Sequence, residues 1–270
     1  MNGHFRFRSL GSGSTGNATL VEAVNGAGKA WRLLVDAGFT LKKFEQRLAS
    51  ATALAPDALT GIFITHEHGD HIGCGLQIAD KYQVPIYMSH GTHHALGQPA
   101  LGKLLHLVRD GDCIDWDGFA FEPFTVPHDA QEPLQLRCTD GSDYLGILTD
   151  LGHGSLHVLE QLAPCSTLLL ECNYDPAMLQ AGGYPPFLKD RIAGRLGHLP
   201  NHEAMRIAQH LLVQGNLRQI VAGHLSERNN CPKLVGALLS ACMPDAAERW
   251  HIADPLVGTD WIECQHHALA

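Results

Sequence analysis

No stretch of this 270-residue chain approaches the roughly 18 uncharged apolar residues that a membrane helix needs. Its opening residues, MNGHFRFRSLGSG, lack the apolar centre of a secretory signal. There is no Pro- or Ser-rich linker, no block of like charge and no internal repeat, so we read residues 1–270 as one domain. None of the 8 cysteines pair at Cys-x-x-Cys spacing. They are scattered, several within apolar runs such as LLLEC and LLSACM, and read as reduced, mostly buried thiols of a cytoplasmic protein. An excess of positive charge is missing too: 19 Lys and Arg face 28 Asp and Glu, a net charge of −9. That argues against a long basic groove for nucleic acid, which binds chiefly through its phosphates. It leaves room for a short contact, because Lys189, Arg191, Arg195, Arg228 and Lys233 gather in the later half.

What the chain does have is a 45% apolar composition, enough for a sizeable core, and the segment IFITHEHGDH at residues 62 to 71. Gly61 to Thr65 is short, β-branched and aromatic, the signature of a buried strand. His66, His68, Asp70 and His71 follow at once, on a loop where α/β folds place their sites. Imidazole and carboxylate suit zinc, manganese or iron, with zinc–nitrogen bonds of about 2.0–2.1 Å. Four ligand-type residues so close together exceed the needs of one catalytic ion. They fit two ions at the roughly 3.5–4 Å spacing of two-metal hydrolases. The bland alternative is a histidine-rich turn or a structural zinc, but a structural site more often recruits cysteine.

The rest of the chain alternates strands and helices. Phe5 and Phe7 alternate with Arg6 and Arg8, as in an edge or outer strand. ATLVEA and WRLLVDAG read as a hairpin, residues 41–50 as a helix, and residues 76–82 with VPIYMS as the rest of a βαβ unit. FAFEPFTVPH and PLQLRC-TDGS-DYLGILTD read as antiparallel strands, and STLLLEC as a buried one. From Asn201, Ala204, Ile207, Ala208, Leu211 and Leu212 mark one apolar helix face. RQIVAGH is then a strand, Pro232 to Met243 a helix and RWHIAD a last strand. Periodicity therefore gives an α/β fold with mixed sheets. Three of these strands end in a single ligand-type residue, His128, Asp150 and His224.

THEHGDHIGC resembles the loop of the metallo-β-lactamase-fold hydrolases. SLGSGSTGNATLVEA, LLVDAGFTLKKFEQRL, VPHDAQEP, LGILTDLGH, the LLLECNYDP…LGHLPN stretch and GHLSERNNCP extend the likeness to the bacterial YycJ/WalJ-like branch. The resemblance implies an αββα four-layer sandwich of two mixed sheets. It also implies a metal-dependent phosphodiesterase, with 5′-to-3′ exonuclease activity on single-stranded or 5′-ended nucleic acid. In that reading His66, His68 and His128 hold one ion, Asp70, His71 and His224 the second, and Asp150 bridges both. Zinc is the first choice of metal. The pair would lower the pKa of a shared water toward neutrality, with Asp70 orienting it. Asn17 supports the site by the same resemblance. Two positions depart from the branch: Tyr174 stands where His is usual, and Pro200 where Ser is usual.

His198 in RLGHLPN is a candidate for contacting phosphate or protonating the leaving group, with a backbone-bonded helix-entry histidine as the alternative. Ser226, Asn229 and Asn230 are candidates for binding substrate phosphate, or else for capping the next helix. GSGSTGN could cradle an anion or merely turn. His266 and His267 read as solvated. Two other functions compete: a small-molecule hydrolase acting on a thioester, lactone or cyclic phosphodiester, which the acidic charge favours, and a metal-binding regulatory module without turnover. The full ligand set, with an edge left open, argues against the last.

Overall fold

The charge alternation of the first strand sorts its side chains between two environments. Phe5 and Phe7 are completely buried, while Arg6 and Arg8 point outward. In the computed structural model, which describes residues 3–244 and 247–264, this strand belongs to the first of two seven-stranded sheets. That sheet takes β1 (His4–Gly11), β2 (Ala18–Val24), β3 (Ala30–Val35), β4 (Gly61–Phe63), β5 (Ile86–Ser89) and β6 (Leu105–Val108). The second takes β7 (Ile114–Asp115), β8 (Ala120–Thr125), β9 (Leu134–Thr139), β10 (Tyr144–Leu148), β11 (Thr167–Glu171), β12 (Gln219–Gly223) and β13 (Trp250–Ile252). The chain then returns to the first sheet as β14 (Ile262–Glu263), antiparallel to β1.

Two sequence readings need correcting here. β1 is not an edge strand, because β14 covers its outer side. Nor is RWHIAD the last strand; the two-residue β14 follows it. The proposed solvation of His266 and His267 lies outside the described residues.

Each sheet is mixed. β1–β3 and β7–β10 pair antiparallel, while β3–β6 and β10–β13 pair parallel. The parallel strands are joined by helical crossovers, as parallel pairing requires. The helices are α1 (Leu41–Thr52), α2 (Gly69–Ile72), α3 (Gly75–Tyr82), α4 (His90–Ala95), α5 (Leu156–Leu162), α6 (Pro176–Ala181), α7 (Pro186–Ala193), α8 (Asn201–Gln214) and α9 (Pro232–Cys242). Phe44 and Leu48 of α1 and Ile78 of α3 pack on the outer face of the first sheet. Val158 of α5, Ala204, Ile207 and Leu211 of α8 and Leu239 of α9 cover the second. Between the sheets lie Phe5, Phe7, Phe63, Phe121, Leu136, Ile147 and Val221. Each such side chain contributes roughly 1.5–3 kcal/mol by leaving water. The layers are thus helix, sheet, sheet, helix. The C-terminal ends of β3, β4, β8, β10, β11 and β12 lead into residues gathered at one end of the two sheets.

No helix among the described residues is long and apolar enough to cross a membrane. All 8 cysteines are free thiols.

Candidate metal centre

Six strand ends deliver the polar residues of the site. After β4 the chain passes His66, bends at Glu67 and His68, then winds into the single turn of α2, which carries Asp70 and His71. β8 leads to His128, β10 to Asp150 and β12 to His224. These side chains form three groups: His66, His68 and His128; Asp70, His71 and His224; and, shared between them, His66, His71 and Asp150. Within each group one ligand-type atom per residue lies within 4.8 Å of the others. A fourth group of Asp150, Glu171, His198 and His224 adjoins them. An open cavity of about 400 Å³ lies over the cluster, lined among others by Ser14, His68, Asp70, Asp129, Asp150, Arg191, His198 and His224.

Electrostatics set the protonation of the metal-free cluster. Burial pushes the His71 imidazolium down, but Asp150 and Asp36 on either side outweigh it and carry the pKa up to about 10. His66 goes the other way: burial, then the neighbouring His71, hold it well below its ordinary value. Burial likewise tends to raise Asp150, yet His224 and His71 keep it well below the usual carboxylate range. Buried charge of both signs is thus packed together, an arrangement that proteins keep paired or place on metals.

Two residues that sequence reasoning had passed over hold this cluster in place. Asp36, at the end of β3, accepts hydrogen bonds from His71 Nδ1 (2.7 Å), Thr65 N (2.9 Å) and Thr65 Oγ1. The bond fixes the His71 ring with Nε2 toward Asp150. Glu171, wholly buried at the end of β11, accepts four bonds. Leu151 N (2.9 Å) and Leu199 N (3.1 Å) donate to Oε2; His198 Nδ1 (2.9 Å) and His224 Nδ1 (3.0 Å) donate to Oε1. Both residues carried the signal used for His128 and Asp150, an apolar run ending in one charged side chain.

His198 lines the cavity, its side chain 27% exposed. Burial lowers its pKa, but Glu171 and Asp150 reverse that and raise it to about 10. Asn17 braces the metal loop rather than facing substrate. Its backbone N donates to Asp70 O (2.8 Å), and its side chain reaches Gly13, Asp70 O and His71 Nε2. Gly38 packs against the same carbonyl so closely that a Cβ there would lie 1.8 Å from Asp70 O. Within GSGSTGN, Ser12 Oγ accepts from His224 N (2.8 Å), which ties this turn to the end of β12.

Ser226, Asn229 and Asn230 were expected to face substrate or to cap α9, and they do neither. All three are buried, and none lines the cavity. Ser226 Oγ accepts from Asn229 N (3.2 Å) and Nδ2. Asn230 Nδ2 donates to Cys172 O, Asn173 O and Asn201 Oδ1, which ties the β11 and β12 loops to α8. α9 starts without a side-chain cap, and Pro232 stands in its first turn. The two departures from the branch pattern face each other: Tyr174 and Pro200 form an isolated parallel bridge.

The chemistry of the cluster fits divalent cations. Asp150 Oδ1 lies 2.8 Å from His198 Nδ1 and 2.9 Å from His224 Nδ1, but those N–H groups are given to Glu171. Asp150 Oδ1 and His224 Nε2 are consequently buried with no hydrogen-bond partner. Orphaned polar atoms at such a place are costly unless an ion takes them up. Neutral imidazoles and carboxylates are the ligands that zinc, manganese and iron share.

Comparison with known proteins points the same way. The family profile described as the metallo-beta-lactamase superfamily matches residues 11–162. The exodeoxyribonuclease WalJ of Streptococcus pneumoniae is 35% identical over 237 residues, 85% of each chain. The exodeoxyribonuclease YycJ of Bacillus anthracis is 33% identical over 245 residues, 88% of this chain and 89% of its own. Among solved structures, the metallo-beta-lactamase fold protein YhfI from Bacillus subtilis superposes with a TM-score of 0.72 at 16% identity, over 96% of this chain and 99% of its own.

Proposed function

Since the chain belongs to the metallo-beta-lactamase superfamily, we propose that it is a metal-dependent nuclease that removes nucleotides from the 5′ end of single-stranded or 5′-ended nucleic acid. His66, His68 and His128 would hold one divalent ion, Asp70, His71 and His224 a second, with Asp150 between them; zinc is the first candidate, then manganese or iron. When bound, the two ions activate water and offset the charge that develops on a phosphodiester. The cytoplasm, with its reduced thiols, is the compartment that suits this chain.

The protein's own groups then have separable tasks. His198, held through Nδ1 by Glu171, keeps its other ring nitrogen for the cavity. Placed there beside Glu171, it can carry a proton and give it to the departing oxygen as the phosphodiester breaks. Asp70, partly open to the cavity, can accept a hydrogen bond from the attacking water and aim it. Arg191, fixed at the rim by Asp129 (2.6 Å), can pair with a phosphate oxygen.

The observation that carries nucleic acid over a small ester is the likeness to two exodeoxyribonucleases over more than four-fifths of the chain. The cavity is compatible with it: it is open, and histidine, carboxylate and guanidinium line it beside Tyr184, Leu188 and Ile192. The test is to incubate metal-loaded protein with 5′-phosphorylated and 5′-hydroxyl labelled single-stranded DNA and RNA, beside an Asp70→Ala control. Stepwise release from the 5′ end, lost in the control, is expected. Absence of cleavage by protein shown to hold two ions would overturn the reading.

A further inference from the structure

Helix α7 does little for the core, because none of its eight residues is buried. It is nevertheless pinned in place. Pro185 and Pro186 set its entry, Lys189 Nζ donates to Gln180 O (2.5 Å), and Arg191 is bonded to Asp129. Leu188 and Ile192 turn half-buried toward the cavity, while Phe187, Asp190 and Arg191 are left exposed on a helix so held. Phe187 is 73% exposed, the kind of side chain that solvent-facing helices avoid. It stands one turn before Arg191, hence on the same side of the helix, and Arg191 lines the cavity over the metal cluster together with Tyr184 and Leu188. The Arg228 guanidinium lies over the Tyr184 ring, 5.6 Å from its centre. Between Tyr184 and Leu196 the chain carries Lys189, Arg191 and Arg195 against Asp190 alone, a local positive excess in a protein of net charge −9.

Planar apolar rings interleaved with guanidinium groups, continuous with a phosphodiester-sized cavity, match the chemistry of unpaired nucleotides. Bases stack on aromatic faces whatever their sequence, and the cations follow the phosphates. We propose that Phe187 and Tyr184, with Arg191, Arg195 and Arg228, form a base-stacking platform that receives the single-stranded part of the substrate next to the scissile bond. This inference rests on the nuclease reading and adds to it the place where the strand lies. It accounts for nucleic-acid binding by an acidic protein: a few stacked bases take over from a long basic groove, and salt dependence is correspondingly shallow.

The test uses the full-length, metal-loaded protein. Phe187→Ala should raise KM for a short labelled oligothymidylate roughly tenfold, the effect of losing about one stacked base, with kcat moving much less. Phe187→Trp should restore KM, and its added indole fluorescence, measured against the four native tryptophans, should be quenched by the oligonucleotide. Val213→Ala, an exposed residue of α8, serves as the surface control. If the wild-type protein cleaves the oligonucleotide while Phe187→Ala matches it within twofold, or the Phe187→Trp indole is not quenched, the platform is wrong and the nuclease reading stands. Failure of the wild-type protein to bind or cleave any oligonucleotide would bring down both. A dimer in sedimentation that Phe187→Ala dissociates would assign this face to a second copy of the chain and overturn the platform.

Discussion

Replacing Glu171 with Gln keeps the size and shape of the side chain and changes only what it can accept. The carboxylate takes two backbone N–H groups on one oxygen and two imidazole N–H groups on the other. An amide offers one acceptor and two donors. If its oxygen faces Leu151 and Leu199, its NH₂ meets His198 and His224; turned over, it meets the backbone. Either way two buried donors lose their acceptor, at about 1–3 kcal/mol each. The lost contacts therefore sum to about 2–6 kcal/mol. His224, neutral when it ligates a metal, can relieve the first arrangement by moving its proton from Nδ1 to Nε2. That removes the lone pair facing the cluster. We therefore expect E171Q to lose several kcal/mol in urea denaturation of metal-free protein and to bind metal about 10–100-fold more weakly. Metal content after dialysis against graded chelator measures the second effect, and nitrogen-15 histidine spectra report the tautomer. Wild-type metal affinity together with unchanged Nδ1–H signals for His198 and His224 would refute the reasoning.

Asp36→Asn should weaken metal binding by about 10–100-fold, since His71 loses its charged orienting partner; competition with a chromogenic chelator reads this directly. In the metal-free protein, His71 and His198 stay protonated up to about pH 10, whereas unfolded histidine titrates near pH 6.5. Their stabilising contribution is therefore complete below about pH 6.5 and is lost as pH rises through about 10, so the urea midpoint should fall between pH 6 and pH 9. For the same reason metal uptake at pH 7 should release protons, seen by calorimetry in buffers of different ionisation enthalpy, and no release would contradict a protonated His71. Phe7→Ala, by emptying a fully buried site between the sheets, should cost about 3–5 kcal/mol in chemical denaturation without altering which residues face the metals.

The metal loop was legible in the sequence because its four ligand-type residues are neighbours in the chain, straight after an apolar strand. His128, Asp150 and His224 were legible singly, each as the one polar residue ending an apolar run. Glu171 and Asp36 bore the same mark but lie one layer behind the open atoms, and LLLEC and LLVDAG drew notice as strands and as part of the family likeness, not for their carboxylates. The misreading of Ser226, Asn229 and Asn230 has a different origin. Their composition suits phosphate binding, but whether a polar side chain is spent inside the protein depends on partners far away in the chain, such as Cys172 and Asn201. β14 is two residues long and carries no period, so the covered position of β1 had no local sign. The facing of Tyr174 and Pro200 is likewise a long-range pairing that neither residue announces.

Asp36, Asp150 and His224 all adopt left-handed backbone angles, with φ of 59°, 54° and 53°. Glycine would occupy each position with less strain, and Asp and His, though tolerated there, sit in a sparsely populated region. The fold thus holds three turns whose side chains are kept against the preference of the backbone. Selection for stability and selection for chemistry pull in opposite directions at these three sites. A lineage released from the second should drift toward glycine there while its sheets and helices stay intact. Glycine at these three turns in a descendant of this chain would therefore act as a fossil mark of lost catalysis, readable before any assay is run.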